Sequence, residues 1–471
     1  MPHSSSRKIL RFLSLFFAML AFAFACRSEA VAQTGRLIHE FQHGNATDGA
    51  SPQASLTLAA DSTLYGTTAY GGTNLCEDEY GNFFYCGTVF ALEPPSGNRA
   101  DWRERVIYNF GGSQDSGYFP SNAALILDAK GNLYGTTEWG VSQQCGQPPY
   151  YGWPCGTVFQ LVPPTHQGGA WRYNLIYTFQ PNSSDGFAPD AGLVFDTQGN
   201  LYGTTTEGGQ PNGYGVGTVY ELSPPKVQGD PWAETVLYSF QGSPDGAWPA
   251  ANLVGDGKGN FFSTTVQGGT GNCSRGCGTI FELSPSQGEG ELWTETVLYS
   301  FQGGNDGWSP NGVVFGNDGS LYGTTQLGGN GSACSDGGAS CGTFFRLQPP
   351  VGKGMPWTET VLHSFQGGTD GAFPFGNPVS DSQGRLYGTT FEGGSQQQDC
   401  SPQGCGTIFA LIPHEGSWEE KIIYRFDFNH AGRDPQSGLT LGGNDELFGT
   451  TSTGGNCGLL SLCGTVFEVN K

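Results

Sequence analysis

The feature that most constrains the fold is a seven-fold internal repeat, which occupies nearly all of the chain after residue 36. Its clearest signature is the pentapeptide Leu-Tyr-Gly-Thr-Thr, intact or slightly altered, which recurs about every 60 to 70 residues. Each copy must form one structural unit that buries its apolar face against its neighbours, so the repeat decides the architecture. The copies begin at Leu64, Leu133, Leu201, Phe261, Leu321, Leu386 and Leu447.

Each repeat contains four strand-like segments. An apolar run is followed by Leu-Tyr-Gly-Thr-Thr, then by Gly-Thr-Val-Phe, and last by a Trp-containing segment such as residues 232–240, which alternates apolar and polar residues at the period of a strand. The chain holds 77 glycines and 28 prolines and has no long pattern of helical period. We therefore predict an all-β protein, and a four-stranded unit repeated seven times predicts a seven-bladed β-propeller.

The phase of the repeat predicts how the ring closes. The chain enters the repeat at Leu37 with a copy of the Trp-containing strand, and it ends after Gly464-Thr465-Val466-Phe467 without that strand. We therefore expect residues 37–41 to complete the seventh blade as its outermost strand, by pairing with the third strand of that blade. Such a ring leaves no blade incomplete and ties the two ends of the chain together.

With these motifs the chain resembles the GloVer (Gloeo/Verruco) tandem repeat family of exported bacterial proteins. The repeat of that family carries Leu-Tyr-Gly-Thr-Thr, Gly-Gly and Gly-Thr-Val-Phe, as this chain does in seven copies. The resemblance implies an extracellular or cell-surface location. It implies no established activity.

The N-terminal segment has the pattern of a secretory signal peptide. Basic residues precede an apolar run that is too short to span a bilayer, and residues 30–32 form an Ala-x-Ala cleavage site. We predict a signal peptide over residues 1–32 and a single seven-repeat domain over residues 33–471. A lipid-modified Cys26 is the alternative, which the preceding residues fit poorly. The cleaved protein is expected to be secreted, extracellular or periplasmic, monomeric, and free of the membrane.

The cysteines agree with export. The chain encodes 13 of them, and removal of Cys26 with the signal leaves an even number, which suits an oxidising compartment. They fall in close pairs between the second and third strands of a repeat, and the third repeat lacks a pair. Because the two cysteines of a pair are present or absent together in each repeat, we predict that they form a disulfide. A metal site would instead require two pairs from different repeats to converge. The predicted disulfides join Cys76 with Cys86, Cys145 with Cys155, Cys273 with Cys277, Cys334 with Cys341, Cys400 with Cys405, and Cys457 with Cys463.

An Asp-Gly loop precedes the apolar run in most repeats, and it should share one face of the ring with the disulfide loops, because successive strands alternate in direction. An aromatic residue often follows the aspartate. Two interpretations stay open: turn formation with packing between blades, or a ring of carboxylates and aromatic platforms that suits a cation or a sugar. The candidate ligand-binding residues are Asp48, Asp115, Asp185, Asp245, Asp306 and Asp370, with Phe119, Phe187, Trp248, Trp308 and Phe373.

A second candidate surface is the second disulfide loop. Trp139, Trp153, Tyr150 and Tyr151 lie in or beside it and break the pattern of the repeat. Exposed aromatic residues there could stack on sugar rings or anchor a partner. The tryptophans that recur at one position of the outermost strand, such as Trp232, are instead predicted to be structural.

No catalytic signature, phosphate loop or His-rich metal motif is present, so no catalytic residue, cofactor or metal is expected. The formal net charge of −22 disfavours nucleic acid and anionic membranes as partners.

The leading hypothesis is a secreted binding or scaffold module that engages an extracellular glycan or protein through its disulfide-loop face. The alternative is a hydrolase or lyase acting on an extracellular polysaccharide through carboxylates at the channel mouth. The histidines of the mature chain are scattered, and none is expected in a repeated setting: His39, His43, His166, His363, His414 and His430.

Overall fold

The structure of the protein is a computed structural model that describes most of the chain from residue 35 to its end. The predicted signal peptide, residues 1–32, lies outside the described residues. These are residues 35–42, 48–77, 82–111, 117–120, 122–140, 155–166, 168–180, 184–210, 215–227, 229–285, 293–331, 334, 340–352, 354–394, 400, 403–427, 432–455 and 463–471.

Seven antiparallel four-stranded sheets form the blades of a closed β-propeller, which confirms the predicted fold. In each sheet the strands follow one another from the innermost to the outermost, and the blades are numbered 1 to 7 by the chain order of their second strands. The innermost strands are Thr57–Leu58, Ile126–Leu127, Val194–Phe195, Val254–Gly255, Trp308–Phe315, Ala372–Ser380 and Thr440–Leu441. The second strands are Leu64–Thr68, Leu133–Thr137, Leu201–Thr205, Phe261–Thr265, Leu321–Leu327, Leu386–Glu392 and Glu446–Thr451.

The third and outermost strands complete each blade. The third strands are Thr88–Glu93, Thr157–Val162, Thr218–Ser223, Thr279–Ser284, Thr343–Gln348, Thr407–His414 and Thr465–Asn470. The outermost strands are Arg103–Asn109, Arg172–Thr178, Ala233–Ser239, Thr294–Ser300, Thr358–Ser364, Ser417–Arg425 and, in blade 7, Gly35–Glu40.

Shorter elements decorate the blades on the face that carries the disulfide loops. Four two-stranded pairs join Gly49–Ala50 with Tyr70–Gly71, Gly186–Phe187 with Glu207–Gly208, Gly246–Ala247 with Gln267–Gly268, and Leu75–Glu77 with Phe83–Tyr85. The helical content of the described residues is one 3₁₀ turn, Gly304–Asp306. Among these residues no helix has the length and apolar character needed to cross a bilayer.

The N-terminal strand closes the ring as predicted. It pairs antiparallel with the third strand of blade 7, with Leu37 opposite Phe467 and His39 opposite Val466. The same register joins Val236 and Tyr238 to the third strand of blade 3. Phe41 follows this strand and is fully buried, so the closing contact is a packed β-strand as well as a hydrogen-bonded one.

Two elements of the repeat signature follow from contacts inside a blade. The glycine of Leu-Tyr-Gly-Thr-Thr lies against the third-strand aromatic ring, and a Cβ on Gly66 would collide with Phe90. The final threonine of that pentapeptide hydrogen-bonds the first threonine of the third strand, which satisfies both buried hydroxyl groups. This threonine pair recurs in all seven blades: 68 with 88, 137 with 157, 205 with 218, 265 with 279, 325 with 343, 390 with 407, and 451 with 465.

The glycine of Gly-Thr-Val-Phe and the proline of Asp-Gly-x-x-Pro meet across the boundary between blades. A Cβ on Gly278 would lie 2.5 Å from Cδ of Pro310 in the next blade, and the φ of Gly278 is +94°. The residue before the proline also has positive φ, and its N–H donates to the carbonyl of the residue before that glycine, as Phe373 does to Cys341 at 2.8 Å. Through these contacts the Gly-Thr-Val-Phe and Asp-Gly-x-x-Pro motifs of the repeat join neighbouring blades. The residues of positive φ before proline are Ser51, Phe119, Ala188, Trp248, Ser309, Phe373 and Asp434.

Candidate functional site

An aromatic pocket lies on the disulfide-loop face where blade 1 meets blade 2. Its volume is about 420 Å³, within the range of small-molecule sites in proteins. Six of its eight described lining residues are aromatic, and the others are an amide and a carboxyl group. The lining is Tyr70, Asn82, Phe83, Phe84, Tyr118, Phe119, Glu138 and Trp139.

The wall from blade 1 is a disulfide-braced hairpin. Leu75–Glu77 pairs with Phe83–Tyr85, and the disulfide from Cys76 to Cys86 ties the first of these strands to the start of the third strand of the blade. Phe83 and Leu75 are 69% and 60% exposed. Large apolar groups held at the surface by a cross-link are typical of a contact surface.

The wall from blade 2 forms where the segment that leads into the innermost strand of that blade pairs with the residues that follow its second strand. Tyr118 and Trp139 exchange backbone hydrogen bonds of 2.9 and 3.3 Å, and their rings stack with centroids 6.2 Å apart. Phe119 donates its N–H to the carbonyl of Cys86 in blade 1 at 3.1 Å. The blade 2 wall is thereby attached directly to the disulfide of blade 1.

Aromatic contacts continue around the pocket from one blade to the other. The ring of Tyr70 meets those of Phe84 and Phe119 edge to face, at centroid distances of 6.0 and 5.3 Å. The ring of Phe84 in turn lies 5.9 Å from that of Tyr118. Such ring pairs hold one another in defined orientations, so the pocket presents ordered aromatic faces. Burial raises the pKa of the Tyr70 hydroxyl, and Glu138 raises it further.

The aromatic character of this pocket departs from the repeat. The second residue after the paired threonine of the second strand is Tyr70 in blade 1 and Trp139 in blade 2. The other blades place non-aromatic residues there: Glu207, Gln267, Leu327, Glu392 and Thr453. The pocket is therefore a feature of two neighbouring blades and not of the propeller frame.

Of the aromatic residues predicted around the second disulfide loop, Trp139 lines the pocket. Trp153, Tyr150 and Tyr151 lie outside the described residues. The blade 1 half of the pocket was missed, although Asn82-Phe83-Phe84 also breaks the repeat inside a disulfide loop. That run of aromatic residues between two cysteines was the signal that could have identified it.

The described aspartates of the Asp-Gly loops lie between blades. Each accepts a hydrogen bond from the backbone N–H of the glutamine that follows the outermost strand of the preceding blade. Three also accept from a tyrosine hydroxyl of that strand, as Asp245 does from Tyr238 at 3.0 Å. Burial raises the pKa of Asp185 to about 6. Asp115 lies outside the described residues, and the aspartates placed in this way are Asp48, Asp185, Asp245, Asp306 and Asp370.

A glutamate of the next outermost strand completes these groups. Burial, with the neighbouring aspartate as the second cause, raises the pKa of Glu234 and Glu295 to about 7 and that of Glu359 to about 8. One carboxyl oxygen of each is buried without a hydrogen-bond partner. A shared site for two carboxyl groups favours the protonated form of one of them.

The aromatic residues beside the aspartates pack against the blades. Phe187 and Phe373 are buried in apolar clusters, and Trp308 packs against another. Trp248 is covered by the guanidinium group of Arg275, whose Cζ lies 5.7 Å from the ring centroid. Phe119 is the member of this set that reaches the aromatic pocket.

The expectation that no histidine stands in a repeated setting is wrong. His39 and His363 each occupy the outermost-strand position that is Tyr238 in blade 3, opposite the second residue of the third strand. The signal was the alignment of Leu-Ile-His-Glu-Phe and Val-Leu-His-Ser-Phe with Val-Leu-Tyr-Ser-Phe. Two blade boundaries therefore carry an imidazole where others carry a phenol.

A second cavity, of about 190 Å³, lies on the propeller axis. Its lining comes from the innermost segments of the blades and is rich in amide side chains, including Gln53, Asn252 and Asn377. The single carboxyl group among its described lining residues is Asp190, which accepts a hydrogen bond of 2.8 Å from Asn122. Burial raises the pKa of this carboxyl group.

Four of the six predicted disulfides are present between described cysteines: Cys76–Cys86, Cys273–Cys277, Cys334–Cys341 and Cys400–Cys405. Cys155 and Cys463 are also disulfide-bonded. Their predicted partners, Cys145 and Cys457, lie outside the described residues.

Comparison with known proteins gives a family and distant structural likenesses. The family model of the Gloeobacter/Verrucomicrobia repeat matches residues 149–398 and 331–471. No curated protein sequence matches the chain. A luciferin-regenerating enzyme is similar in structure at 12% identity and a TM-score of 0.39, over 74% of this chain and 91% of that one. A Trypanosoma rangeli sialidase is similar at 9% identity and a TM-score of 0.40, over 82% and 55%.

Proposed function

The chain belongs to the Gloeobacter/Verrucomicrobia repeat family, and on that propeller frame we propose that the aromatic pocket between blades 1 and 2 binds a neutral glycan. The protein acts in this proposal as a binding module of the extracellular space. The observation that carries it is the set of six aromatic side chains around one surface pocket on the disulfide-loop face.

The chemistry of the pocket suits a sugar. Pyranose rings present apolar C–H faces that stack on aromatic rings, while their hydroxyl groups need polar partners at the edge of the site. Tyr118 and Trp139 offer stacked rings, and Asn82 and Glu138 supply polar groups in the same lining. The cross-linked hairpin of blade 1 keeps the opposite wall in place, which lowers the entropic cost of binding.

Charge favours a neutral ligand over an anionic one. The chain carries a formal net charge of −22, and the one carboxyl group among the described lining residues of the pocket is Glu138. A uronic acid or sulfated polymer would approach against the field of the protein and then meet a carboxyl group in the pocket. A neutral hexose polymer or oligosaccharide meets neither obstacle.

Export is part of the proposal. The predicted signal peptide over residues 1–32 and the disulfides fit an extracellular or periplasmic location, since disulfide bonds persist in oxidising compartments. A hydrolase of the two-carboxylate type would need a pair of acids about 5 to 10 Å apart across a pocket. Each of these two cavities has one carboxyl group among its described lining residues, so neither presents such a pair among them.

The test is a glycan array followed by calorimetric titration of the best neutral ligand. We expect Trp139→Ala and Phe84→Ala each to weaken binding about tenfold or more, the usual cost of removing an aromatic anchor. Gln267→Ala is the matched control, because Gln267 occupies the blade 4 position equivalent to Trp139, and it should bind as the unsubstituted protein does. The variants should also keep its circular dichroism spectrum.

Other results would contradict the proposal in distinguishable ways. Saturable glycan binding that Trp139→Ala leaves unchanged would place the site elsewhere on the molecule. Absence of glycan binding, with saturable capture of a cell-surface protein that depends on Trp139 and Phe84, would replace the glycan by a protein ligand.

A further inference from the structure

Two blade boundaries bring together an imidazole and two carboxyl groups. The ligating atoms of His39, Asp48 and Glu104 lie within 4.8 Å of one another where blade 7 meets blade 1. Those of His363, Asp370 and Glu420 do the same where blade 5 meets blade 6. The two groups are equivalent by position in the repeat, although more than 300 residues separate them along the chain.

Each group is assembled from three segments. The histidine lies on the outermost strand of one blade, the aspartate in the loop that leads into the next blade, and the glutamate on the outermost strand of that next blade. Three other boundaries have the same aspartate and glutamate but carry Tyr177, Tyr238 or Tyr299 in place of histidine. There the hydroxyl group donates a hydrogen bond to the aspartate, so these boundaries are internal controls for the exchange of a phenol for an imidazole.

The distances suit ligands of a shared ion. Nε2 of His39 lies 3.6 Å from Oδ1 of Asp48, and Nε2 of His363 lies 3.3 Å from Oδ2 of Asp370. Two ligands of one tetrahedral zinc ion are about 3.3 to 3.5 Å apart, since each lies about 2.0 to 2.2 Å from the metal.

Unsatisfied polar atoms point to the same positions. Nε2 of His39 is buried without a hydrogen-bond partner, whereas Nε2 of His363 lies within hydrogen-bond distance of Oδ2 of Asp370, at 3.3 Å. Oε1 of Glu104 and of Glu420 is also buried and unpaired, as is the equivalent oxygen at the tyrosine boundaries, so the imidazole is the group that sets these two boundaries apart. Buried polar atoms are normally paired. A cation at the first site would supply the interaction that Nε2 of His39 and Oε1 of Glu104 do not find in the surrounding protein groups, and at the second site it would supply the one that Oε1 of Glu420 does not find.

We propose that each of these two boundaries binds one divalent cation of the zinc class, giving two metal sites in the ring. One imidazole nitrogen and two carboxylate oxygens are ligands that zinc accepts, with water at the fourth position, whereas calcium and magnesium prefer oxygen alone. The ion at His39 would attach the N-terminal strand to blade 1 and so reinforce ring closure. The ion at His363 would brace blade 5 against blade 6.

Zinc titration of the full disulfide-bonded chain after chelator treatment tests the proposal, by calorimetry with ZnCl₂ alone. We expect two bound equivalents and a zinc-dependent rise in Tm. His39→Tyr and His363→Tyr should each remove one equivalent, and the double variant should bind none. Tyrosine is native at the equivalent positions, so these substitutions should preserve the fold.

A gain of binding provides a second, independent measurement. Tyr238→His places an imidazole beside Asp245 and Glu295 and should add a third equivalent of zinc. Two equivalents retained by the His39→Tyr/His363→Tyr variant, or no third equivalent in Tyr238→His, would overturn the assignment of ligands. Zinc binding at these two boundaries does not depend on glycan binding at the aromatic pocket, so the zinc titrations test it separately.

Discussion

Two junctions between neighbouring blades can be compared: the boundary between blades 4 and 5, and the boundary between blades 1 and 2, which carries the aromatic pocket. The first holds the frame together, and the second also forms the proposed binding site. The first is held by Tyr299, Asp306 and Glu359 and by the contact of Gly278 with Pro310, all of which recur around the ring. The second adds Tyr70 and Trp139, which the other blades lack. Repeated residues build the frame, and function is expected where the repeat is broken.

The largest effect in this comparison should come from opening the ring. A chain that begins at residue 43 lacks Gly35–Glu40 and the buried Phe41, so the third strand of blade 7 loses its partner. We expect the free energy of unfolding to fall by about 3 kcal/mol or more, since each buried large apolar side chain contributes about 1.5 to 3 kcal/mol. The loss is measured by urea denaturation of this shortened chain and of a chain that begins at Gln33. Equal midpoints would show that the closing strand does not hold the frame.

A single methyl group at a blade boundary should have the next largest effect. Gly278→Ala places Cβ 2.5 Å from Cδ of Pro310 and closer still to the carbonyl of Thr265, at a φ of +94°. We expect a loss of about 2 to 4 kcal/mol from overpacking and backbone strain.

Two comparisons isolate the cause of that loss. Gly257→Ala is the matched control, because Gly257 has a φ of +73° and no atom within 4 Å of its Cβ position. It should lose only about 1 kcal/mol through the backbone conformation. Phe83→Ser in the pocket hairpin should change stability by about 0.5 kcal/mol or less, as exposed substitutions usually do. Similar losses for Gly278→Ala and Gly257→Ala would remove the contact with proline from the explanation.

The smallest effect concerns pH. The pKa of Glu359 is raised to about 8 from an ordinary value of 4.5, so the folded state binds a proton that the unfolded state releases. The stabilisation of the folded state by this bound proton is complete below about pH 4.5 and is lost as the pH rises to about 8. Glu359→Gln, whose side chain stays neutral, should therefore raise Tm by about 1 °C at pH 8 and change it little at pH 5.

The exposed Glu415 provides the control for that measurement. Differential scanning calorimetry of Glu359→Gln and Glu415→Gln at both pH values separates a boundary carboxyl group from a surface one. A stabilisation by Glu359→Gln that is the same at pH 5 and pH 8 would contradict the shifted pKa as its origin.

Individual residues show why the site was only half predictable. Trp139 was identified because it departs from a pattern that other copies define, and Phe83 and Phe84 carried the same kind of signal inside the first disulfide loop. Their convergence was not visible, because it depends on blade 2 lying beside blade 1 with Phe119 attached to the carbonyl of Cys86. The two histidines were missed for a related reason, since each meets its acidic partners only across a blade boundary.

The sequence by itself determined the number of blades, the order of strands within each blade, the paired cysteines and the closure by the N-terminal strand. It could do so because these features depend on periodicity and on contacts between neighbours in a repeat, which a seven-fold pattern displays many times. Only the tertiary structure decided that the aspartates lie between blades, that six aromatic residues share one pocket, and that His39 meets Glu104. Such groupings depend on distances between segments far apart in the chain, and those distances follow from the packing of one blade against the next.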